Sequence, residues 1–197
     1  KRICRYLKGT RTEGLIFNTG GDVLQLDCFV DANFAGNWGA EDPQDPVSVK
    51  SRTGYVIKLA GCPLIWGSKL QQMIALSSTE SEYLALSYSM RSLLPLRALA
   101  AELLSHLDQK LDGAVIKSTV FEDNNGCIAM ARTKKISPRT KHIATHVHFF
   151  KSHIRSDANP DGDIVIKKVD TLDMEADGLT KGLGSVQYKN NRKQLCG

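Results

Sequence analysis

Apolar and polar side chains alternate along the first half of the chain, where they predict β-strands. Residues 24–35, LQLDCFVDANFA, have the two-residue period of a half-buried strand. That period places four side chains on one strand face: Asp27, Phe29, Asp31 and Asn33. The Gly-, Pro- and acid-rich residues 36–51 predict an exposed loop. The apolar runs TGYVIKLAG and PLIWGSKLQ surround residues 61–63 and predict a β-hairpin.

A helical period begins at Ser77. Ser77 and Glu80 have the spacing of a capping box, and apolar residues then recur at helical intervals as far as Met90. Pro95 predicts a kink or an end of this helix. Residues 96–107 are therefore expected to form a second helix or a bent continuation of the first.

Strands and helices alternate in the second half of the chain. AVIKSTVFED predicts a strand that ends on Asp123, GCIAMART predicts a short helix, and DIVIKKV predicts a last strand. Ser137 and Pro138 have the residue types of an N-cap and a first helical position. Behind them a helical stripe is formed by four apolar residues: Ile143, Val147, Phe150 and Ile154.

The two ends of the chain carry weaker signals. KRICRYLKGT predicts the last turns of a helix that ends before Gly9. TLDMEADGLTKGL predicts a last helix with two alternatives at each end: Thr171 or Asp173 at its start, and Gly182 or Gly184 at its close. Residues 185–197 are polar and predicted to fray.

The order of these elements predicts an α/β architecture. Three strands come first, and two more follow that are separated by helices, which implies a mixed sheet covered by helices. Sites in such sheets lie at the carboxyl ends of neighbouring parallel strands. Asp31 and Asp123 are therefore expected to meet at one end of the sheet.

Composition narrows the class of protein. A length of 197 residues fits one domain, and no apolar run has the length of a membrane span or a signal peptide core. The net charge of +5 favours a polyanionic partner. Five cysteines without a C-x-x-C pair predict reduced intracellular thiols. Because the sequence does not begin with Met, it is interpreted as a piece of a longer polypeptide.

Acidic residues at strand ends and helix starts are the candidate metal ligands. Asp31 interrupts an otherwise buried strand, where an unpaired carboxylate is costly, so a bound divalent cation is favoured over a solvent-facing position. Glu80 is assigned to the cap formed by Ser77. Glu82 shares a helix face with residues that pack on the sheet and is the better ligand.

Two further carboxylates have competing structural explanations. Asp123 lies between a strand and a helix, and two alternative roles stay open for it, N-cap of the helix and metal ligand. Asp177, close to Asp173 and Glu175, has compensation of the helix dipole as its alternative. Four carboxylates that converge from two strands and two helices would suit Mg²⁺, which prefers oxygen ligands.

Histidines offer a rival metal site. His142 and His146 have the spacing of a zinc-chelating pair on a helix. No H-E-x-x-H pattern or cysteine pair supplies further ligands, so a solvated helix flank is favoured over zinc. Phosphate-binding loops, nucleophile elbows and dinucleotide fingerprints are absent from the sequence.

Several motifs together resemble a known family. These are SRTGYVIKLAGCPLIWGSKLQ, ALSSTESEYLAL, EDNNGCIAMA, RTKHIATHVHFF and MEADGLTKGL. In this order they resemble the ribonuclease H region of Ty1/copia-type retrotransposon polyproteins, and KRICRYLKGT is similar to the end of the preceding reverse transcriptase part. The resemblance implies a reverse transcriptase tail at residues 1–20, an RNase H-like domain at 21–184 and a polar tail at 185–197.

The resemblance implies an RNase H-like fold, with a five-stranded mixed β-sheet flanked by α-helices. The carboxylate set of the family falls on Asp31, Glu82, Asp123 and Asp177. These residues would hold two Mg²⁺ ions, with Mn²⁺ as a substitute. Asp31 would contact both ions, Asp177 the ion on the side of the nucleophile, and Glu82 and Asp123 the other.

The implied activity is endonucleolytic hydrolysis of the RNA strand of RNA/DNA hybrids. The implied partners are the hybrid and the upstream reverse transcriptase domain of the same polyprotein, with no membrane partner. The implied location is cytoplasmic, in a virus-like particle, with the nucleus as the alternative. Arg139, Lys141 and His142 would contact the hybrid, and a solvated surface is their alternative role.

The sequence departs from the family pattern at two places. Asn33 and Phe34 stand where many relatives resemble Asp-Ala-Asp-Trp, and VDTLDM lacks the His that cellular ribonucleases H carry there. The second departure argues against histidine-assisted product release. Two other functions stay open: a catalytically inactive module that binds nucleic acid or tethers the polymerase, and a transposase- or integrase-type enzyme.

Overall fold

A computed structural model describes residues 2–17, 24–39, 42, 44–107, 116–133 and 147–196. The strands within these ranges are β1 (Gln25–Asn33), β2 (Arg52–Leu59), β3 (Cys62–Leu70), β4 (Lys117–Glu122) and β5 (Ile164–Lys168). The α-helices are α1 (Arg2–Gly9), α2 (Ser78–Leu107), α3 (Asn125–Arg132), α4 (Asp177–Thr180) and α5 (Ser185–Cys196). Among the helices so described, none has the length and apolar character needed to cross a membrane.

The five strands form one mixed sheet in the order β3-β2-β1-β4-β5. The pairs β1–β2 and β2–β3 are antiparallel, whereas β1–β4 and β4–β5 are parallel. The predicted five-stranded mixed sheet is thereby confirmed. Because β1 and β4 run in the same direction, their carboxyl ends lie side by side.

The predicted hairpin joins β2 to β3 through a two-residue turn. Ala60 and Gly61 have φ values of 50° and 82°. Positive φ at both central residues is typical of the turn that matches the twist of paired strands, and glycine adopts it without steric cost. Pro63 lies near the start of β3, an edge strand, where the missing N–H group is tolerated.

Helix α2 begins at the predicted cap. Ser77 Oγ accepts the backbone N–H of Glu80 at 3.1 Å, and the Glu80 carboxylate accepts the N–H of Leu76 at 2.8 Å. The helix continues through Pro95 to Leu107, so the continuation is confirmed and an end at Pro95 is wrong. The buried face of α2 packs on β1 and β2, and this packing offsets the hydrogen bond that proline cannot donate.

The hydrophobic core lies between the sheet and α2. It contains Leu26, Cys28 and Val30 of β1 and Leu86 and Met90 of α2, all fully buried. All five cysteines are free thiols. Burial raises the pKa of the Cys28 thiol to about 12, so this thiol stays protonated at neutral pH.

The helix predicted behind Ser137 and Pro138 is only partly described. Its start, with Ile143, lies outside the described residues. Val147, Phe150 and Ile154 are buried as the stripe predicted. The described part is a 3₁₀ turn (Phe149–His153) and not an α-helix, because Ile154 leaves it to bridge Ile164 beside the sheet.

The predicted last helix is wrong as a single element. A 3₁₀ turn (Thr171–Asp173) is followed by an extended Met174 and then by α4, a single turn that begins at Asp177. Neither predicted cap starts α4, whose N-cap is Ala176 and makes no side-chain hydrogen bond. The chain breaks here because Met174 and Glu175 are buried, and Glu175 pairs with Lys58 at 2.9 Å.

The polar tail is also ordered, which corrects the prediction that it frays. Residues 185–196 form α5, and Asn191 fastens this helix to the segment before α4. Its amide donates to the carbonyls of Met174 at 3.3 Å and Glu175 at 3.0 Å. The predicted N-terminal helix is confirmed as α1, and its Tyr6 hydroxyl accepts from that of Tyr188 in α5 at 2.8 Å.

Candidate active site

Three acidic side chains meet where β1 and β4 end. The strands are in register so that Phe29 pairs with Phe121, and their rings stack at 4.5 Å. Asp31 and Asp123 each follow two residues later in their segments. One carboxylate oxygen from each of Asp31, Glu82 and Asp123 lies within 4.8 Å of the others. We call this set the carboxylate trio; it includes the predicted meeting of the two strand-end aspartates.

Asp31 is buried and held by α4. The Thr180 hydroxyl donates to Asp31 Oδ2 and also to the carbonyl of Asp177, at 3.1 Å for the latter. Burial raises the pKa of Asp31, and the Thr180 hydroxyl and the Lys181 ammonium counteract that effect. The carboxylate is therefore oriented before any ligand binds.

Gly54 lets α4 approach Asp31. It pairs directly with Asp31 across β1 and β2. A β-carbon at Gly54 would lie 2.5 Å from Thr180 Cγ2, which is too close for a contact, and 3.1 Å from the Ala176 carbonyl oxygen, which is unusually tight. The absence of a side chain at this position thus places the Thr180 hydroxyl on Asp31.

We expect Gly54→Ala to displace α4 and to destabilise the fold by about 1–3 kcal/mol, the usual cost of an overpacked site. Chemical denaturation monitored by circular dichroism measures this difference. Gly14→Ala is the matched control, because a β-carbon there meets no atom within 4 Å, and it should stay within about 0.5 kcal/mol of the wild type. Equal stability of the two variants would contradict the proposed packing.

Glu82 points from α2 into the trio, in agreement with the helix-face argument. The backbone N–H of Ala32 donates to its carboxylate, whereas Oε2 has no hydrogen-bond partner among the described residues. Burial, followed by repulsion from Glu122, Asp31 and Asp123, raises the pKa of Glu82 to about 10. A cation bound to such a buried oxygen without a donor would offset both the cost of burying the carboxylate and the repulsion from its acidic neighbours.

Asp123 is not the N-cap of α3, so that alternative is wrong. The N-cap is Asn124, whose side chain accepts the N–H of Cys127 at 3.0 Å. Asp123 Oδ2 instead accepts the hydroxyl of Thr171 at 2.8 Å. The side chain is partly exposed, which leaves the trio open to solvent on this side.

Asp177 is the predicted residue that lies outside the trio. Its side chain is buried at the start of α4, and its Oδ1 is 2.8 Å from Lys181 Nζ. Gln187 of α5 donates to Oδ2 at 3.4 Å. Repulsion from Asp177 contributes to the raised pKa of Asp31, so the two carboxylates are electrostatic neighbours. The structure thus brings three of the four predicted residues together and leaves Asp177 at the margin.

Sequence reasoning missed Glu122. This residue is fully buried, its Oε1 accepts the N–H of Asn124 at 3.0 Å, and its Oε2 has no partner in the described part of the chain. Burial raises the pKa of Glu122 to about 8. Strand alternation held a signal for it, since Glu122 shares the inward face of β4 with Val120.

The rival histidine site is only partly visible. His142 and His146 lie outside the described residues, as do the predicted hybrid contacts Arg139 and Lys141. His148 Nδ1 hydrogen-bonds the Tyr83 hydroxyl at 2.7 Å. Among the residues that the structure describes, the carboxylate trio is the group of metal-ligating side chains that come together.

Comparisons with known proteins give two kinds of match. No family model matches the chain. It is 33% identical, over 99% of its length, to the retrovirus-related Pol polyprotein from transposon RE2 of Arabidopsis thaliana. It is 31% identical, over its whole length, to that from transposon TNT 1-94 of Nicotiana tabacum. The chain spans only 12% and 13% of these two relatives.

The solved structures that match the chain include an RNase H. LC11-RNase H1, isolated from compost, matches 80% of this chain and 94% of its own, with a TM-score of 0.45 and 18% identity. The sequence relatives bear on the family directly, since they match nearly the whole chain. Over nearly its whole length the chain is thus homologous to one segment of Ty1/copia-type retrotransposon Pol polyproteins.

Proposed function

We propose that the chain is a divalent-metal-dependent ribonuclease H that hydrolyses the RNA strand of RNA/DNA hybrids during retrotransposon reverse transcription. The observation that carries the proposal is the carboxylate trio at the joined ends of two parallel strands. A buried cluster of this kind costs stability unless cations neutralise it. Sites that cost stability are commonly retained because they serve function.

The donor set fits Mg²⁺, with Mn²⁺ as a substitute. All three ligand atoms of the trio are carboxylate oxygens, and Glu82 Oε2 lacks a donor among the described residues. Hard cations prefer such oxygens, whereas zinc favours nitrogen and sulfur. We assign Asp31, Glu82, Asp123 and Asp177 to the binding of two ions.

The carboxylates of the proposed site have different roles. Bound metal ions would polarise the scissile phosphate and lower the pKa of an attacking water. Asp31, fixed by Thr180, provides an oriented charge within the trio. Glu82 provides an oxygen that is unpaired within the described chain, and Asp123 brings its carboxylate to the solvent-facing side. This open side is where a duplex can approach.

The proposed partners are the RNA/DNA hybrid and the reverse transcriptase domain of the same polyprotein. The relatives are Pol polyproteins about eight times longer than the matched segment, which supports a neighbour within one chain. The net charge of +5 supports a polyanionic substrate. We propose a cytoplasmic location in a virus-like particle, with the nucleus as the alternative.

The direct test is a cleavage assay with purified protein. An RNA/DNA hybrid and the corresponding duplex DNA are incubated with the protein, each with Mg²⁺ or with EDTA. We expect cleavage of the RNA strand only in the hybrid and only with Mg²⁺. Uncut hybrid would favour an inactive binding or tethering module, and cut duplex DNA would favour the transposase class.

Metal binding should also stabilise the fold. We expect Mg²⁺ at about one hundred times its dissociation constant to stabilise the chain by about 2.7 kcal/mol, since the folded state alone holds the assembled trio. Thermal unfolding with Mg²⁺ and with EDTA measures the shift. Asp31→Asn should lose most of it. The same shift in wild type and variant would exclude the trio as the metal site.

A further inference from the structure

A lysine reaches into the carboxylates of the candidate site. Lys181 Nζ is 2.8 Å from Asp177 Oδ1, four residues earlier in the chain. The Asp177 side chain is only 2% exposed, whereas that of Lys181 is 37% exposed. The partly exposed ammonium group of Lys181 therefore neutralises the buried carboxylate of Asp177.

The charge of Lys181 acts on more than Asp177. Its ammonium group also interacts electrostatically with the carboxylates of Asp31 and Asp123. The adjacent residue, Thr180, donates directly to Asp31. Two adjacent residues at the end of α4 thus act on the site: the Thr180 hydroxyl orients Asp31, and Lys181 places a positive charge beside the other carboxylates.

This ion pair accounts for the position of Asp177 outside the trio. Three carboxylates have oxygens within 4.8 Å of one another, while the fourth forms an ion pair with an ammonium group 2.8 Å away. A divalent cation that entered the site would meet the positive charge of Lys181, and Asp177 would have to exchange one cation for another.

We propose that Lys181 is the resident counter-ion of the site, which holds Asp177 away from the carboxylate trio and sets a low metal affinity in the free protein. This positioning role rests on the proposed function. It explains how a cluster of buried carboxylates is compatible with folding before metal binds, since part of its charge is balanced within the chain.

The test is calorimetric titration of the protein with Mn²⁺ alone. We expect Lys181→Gln to bind Mn²⁺ about tenfold more tightly than wild type, because a like charge near the cation has been removed. Lys181→Arg keeps the charge and should bind as wild type does. Lys117→Gln is the matched control, since this exposed lysine starts β4 at the opposite end of the sheet.

A second measurement separates a counter-ion from a merely structural lysine. In EDTA, Lys181→Gln should melt below wild type because Asp177 loses its partner. With Mn²⁺ its rise in melting temperature should exceed that of wild type. A structural role alone would lower both melting temperatures and leave Mn²⁺ affinity unchanged or weaker, which would overturn the proposal.

A second pair of variants tests the proposal if Lys181→Gln fails to fold. Asp177→Asn and Asp177→Asn/Lys181→Gln leave no unpaired carboxylate at position 177, and the double variant should still bind Mn²⁺ more tightly than the single one. Equal affinity would overturn the counter-ion role. Wild type that binds Mn²⁺ without cleaving hybrid would instead contradict the proposed function, and wild type that binds no Mn²⁺ would contradict both.

Discussion

Asp31→Asn should lower the rate of hybrid cleavage by about 10²–10³-fold or more, the scale seen when a group that acts on transition-state charge is lost. The change preserves size, and the amide oxygen still accepts the Thr180 hydroxyl, so that the fold is kept. It removes one of the three carboxylate charges of the trio. Initial rates of RNA-strand cleavage at saturating Mg²⁺ measure the effect.

Asp27→Asn is the control for this variant. Asp27 lies on the same face of β1, four residues earlier, and accepts a hydrogen bond from Gln25 at 2.5 Å. It is not a member of the trio, so its rate should equal that of wild type. Hybrid cleavage that survives Asp31→Asn would overturn the assigned site, and equal losses in both variants would point to a general effect on the strand.

Glu82→Gln should abolish metal-dependent cleavage and yet stabilise the metal-free protein by about 1–2 kcal/mol at pH 8, the usual gain when a strained functional residue is relaxed. The amide oxygen can accept the N–H of Ala32, and Gln does not have to take up a proton on folding at pH 8, as Glu82 must because its pKa is raised in the folded state. Urea denaturation in EDTA measures the stability.

The pH dependence has a definite sign. The pKa of Glu82 is raised by burial from 4.5 to about 10, so that the folded state holds this proton more tightly than the unfolded state does. Metal-free stability should therefore fall as the pH rises from about 4.5 towards 10, and Glu82→Gln should weaken this fall. Glu102→Gln, on the exposed part of α2, should leave the wild-type profile unchanged.

The strands and the start of α2 were predictable because their signals are local. Alternation in β1 and the glycine turn between β2 and β3 each depend on residues adjacent in the chain. The capping pair of Ser77 and Glu80 is equally local. The last helix was mispredicted because Met174 and Glu175 are drawn to the sheet, and no local pattern encodes the Lys58 partner that holds Glu175 there.

The sequence by itself determined which carboxylates stand at strand ends and helix starts, since this depends on residue type and local period. Only the tertiary structure decided which of them meet. Parallel pairing of β1 with β4 brings Asp31 close to Asp123, and the packing of α2 brings Glu82 within 4.8 Å of both. The i,i+4 contact with Lys181 keeps Asp177 apart. Such choices depend on distances between remote segments and on burial, which a linear pattern does not contain.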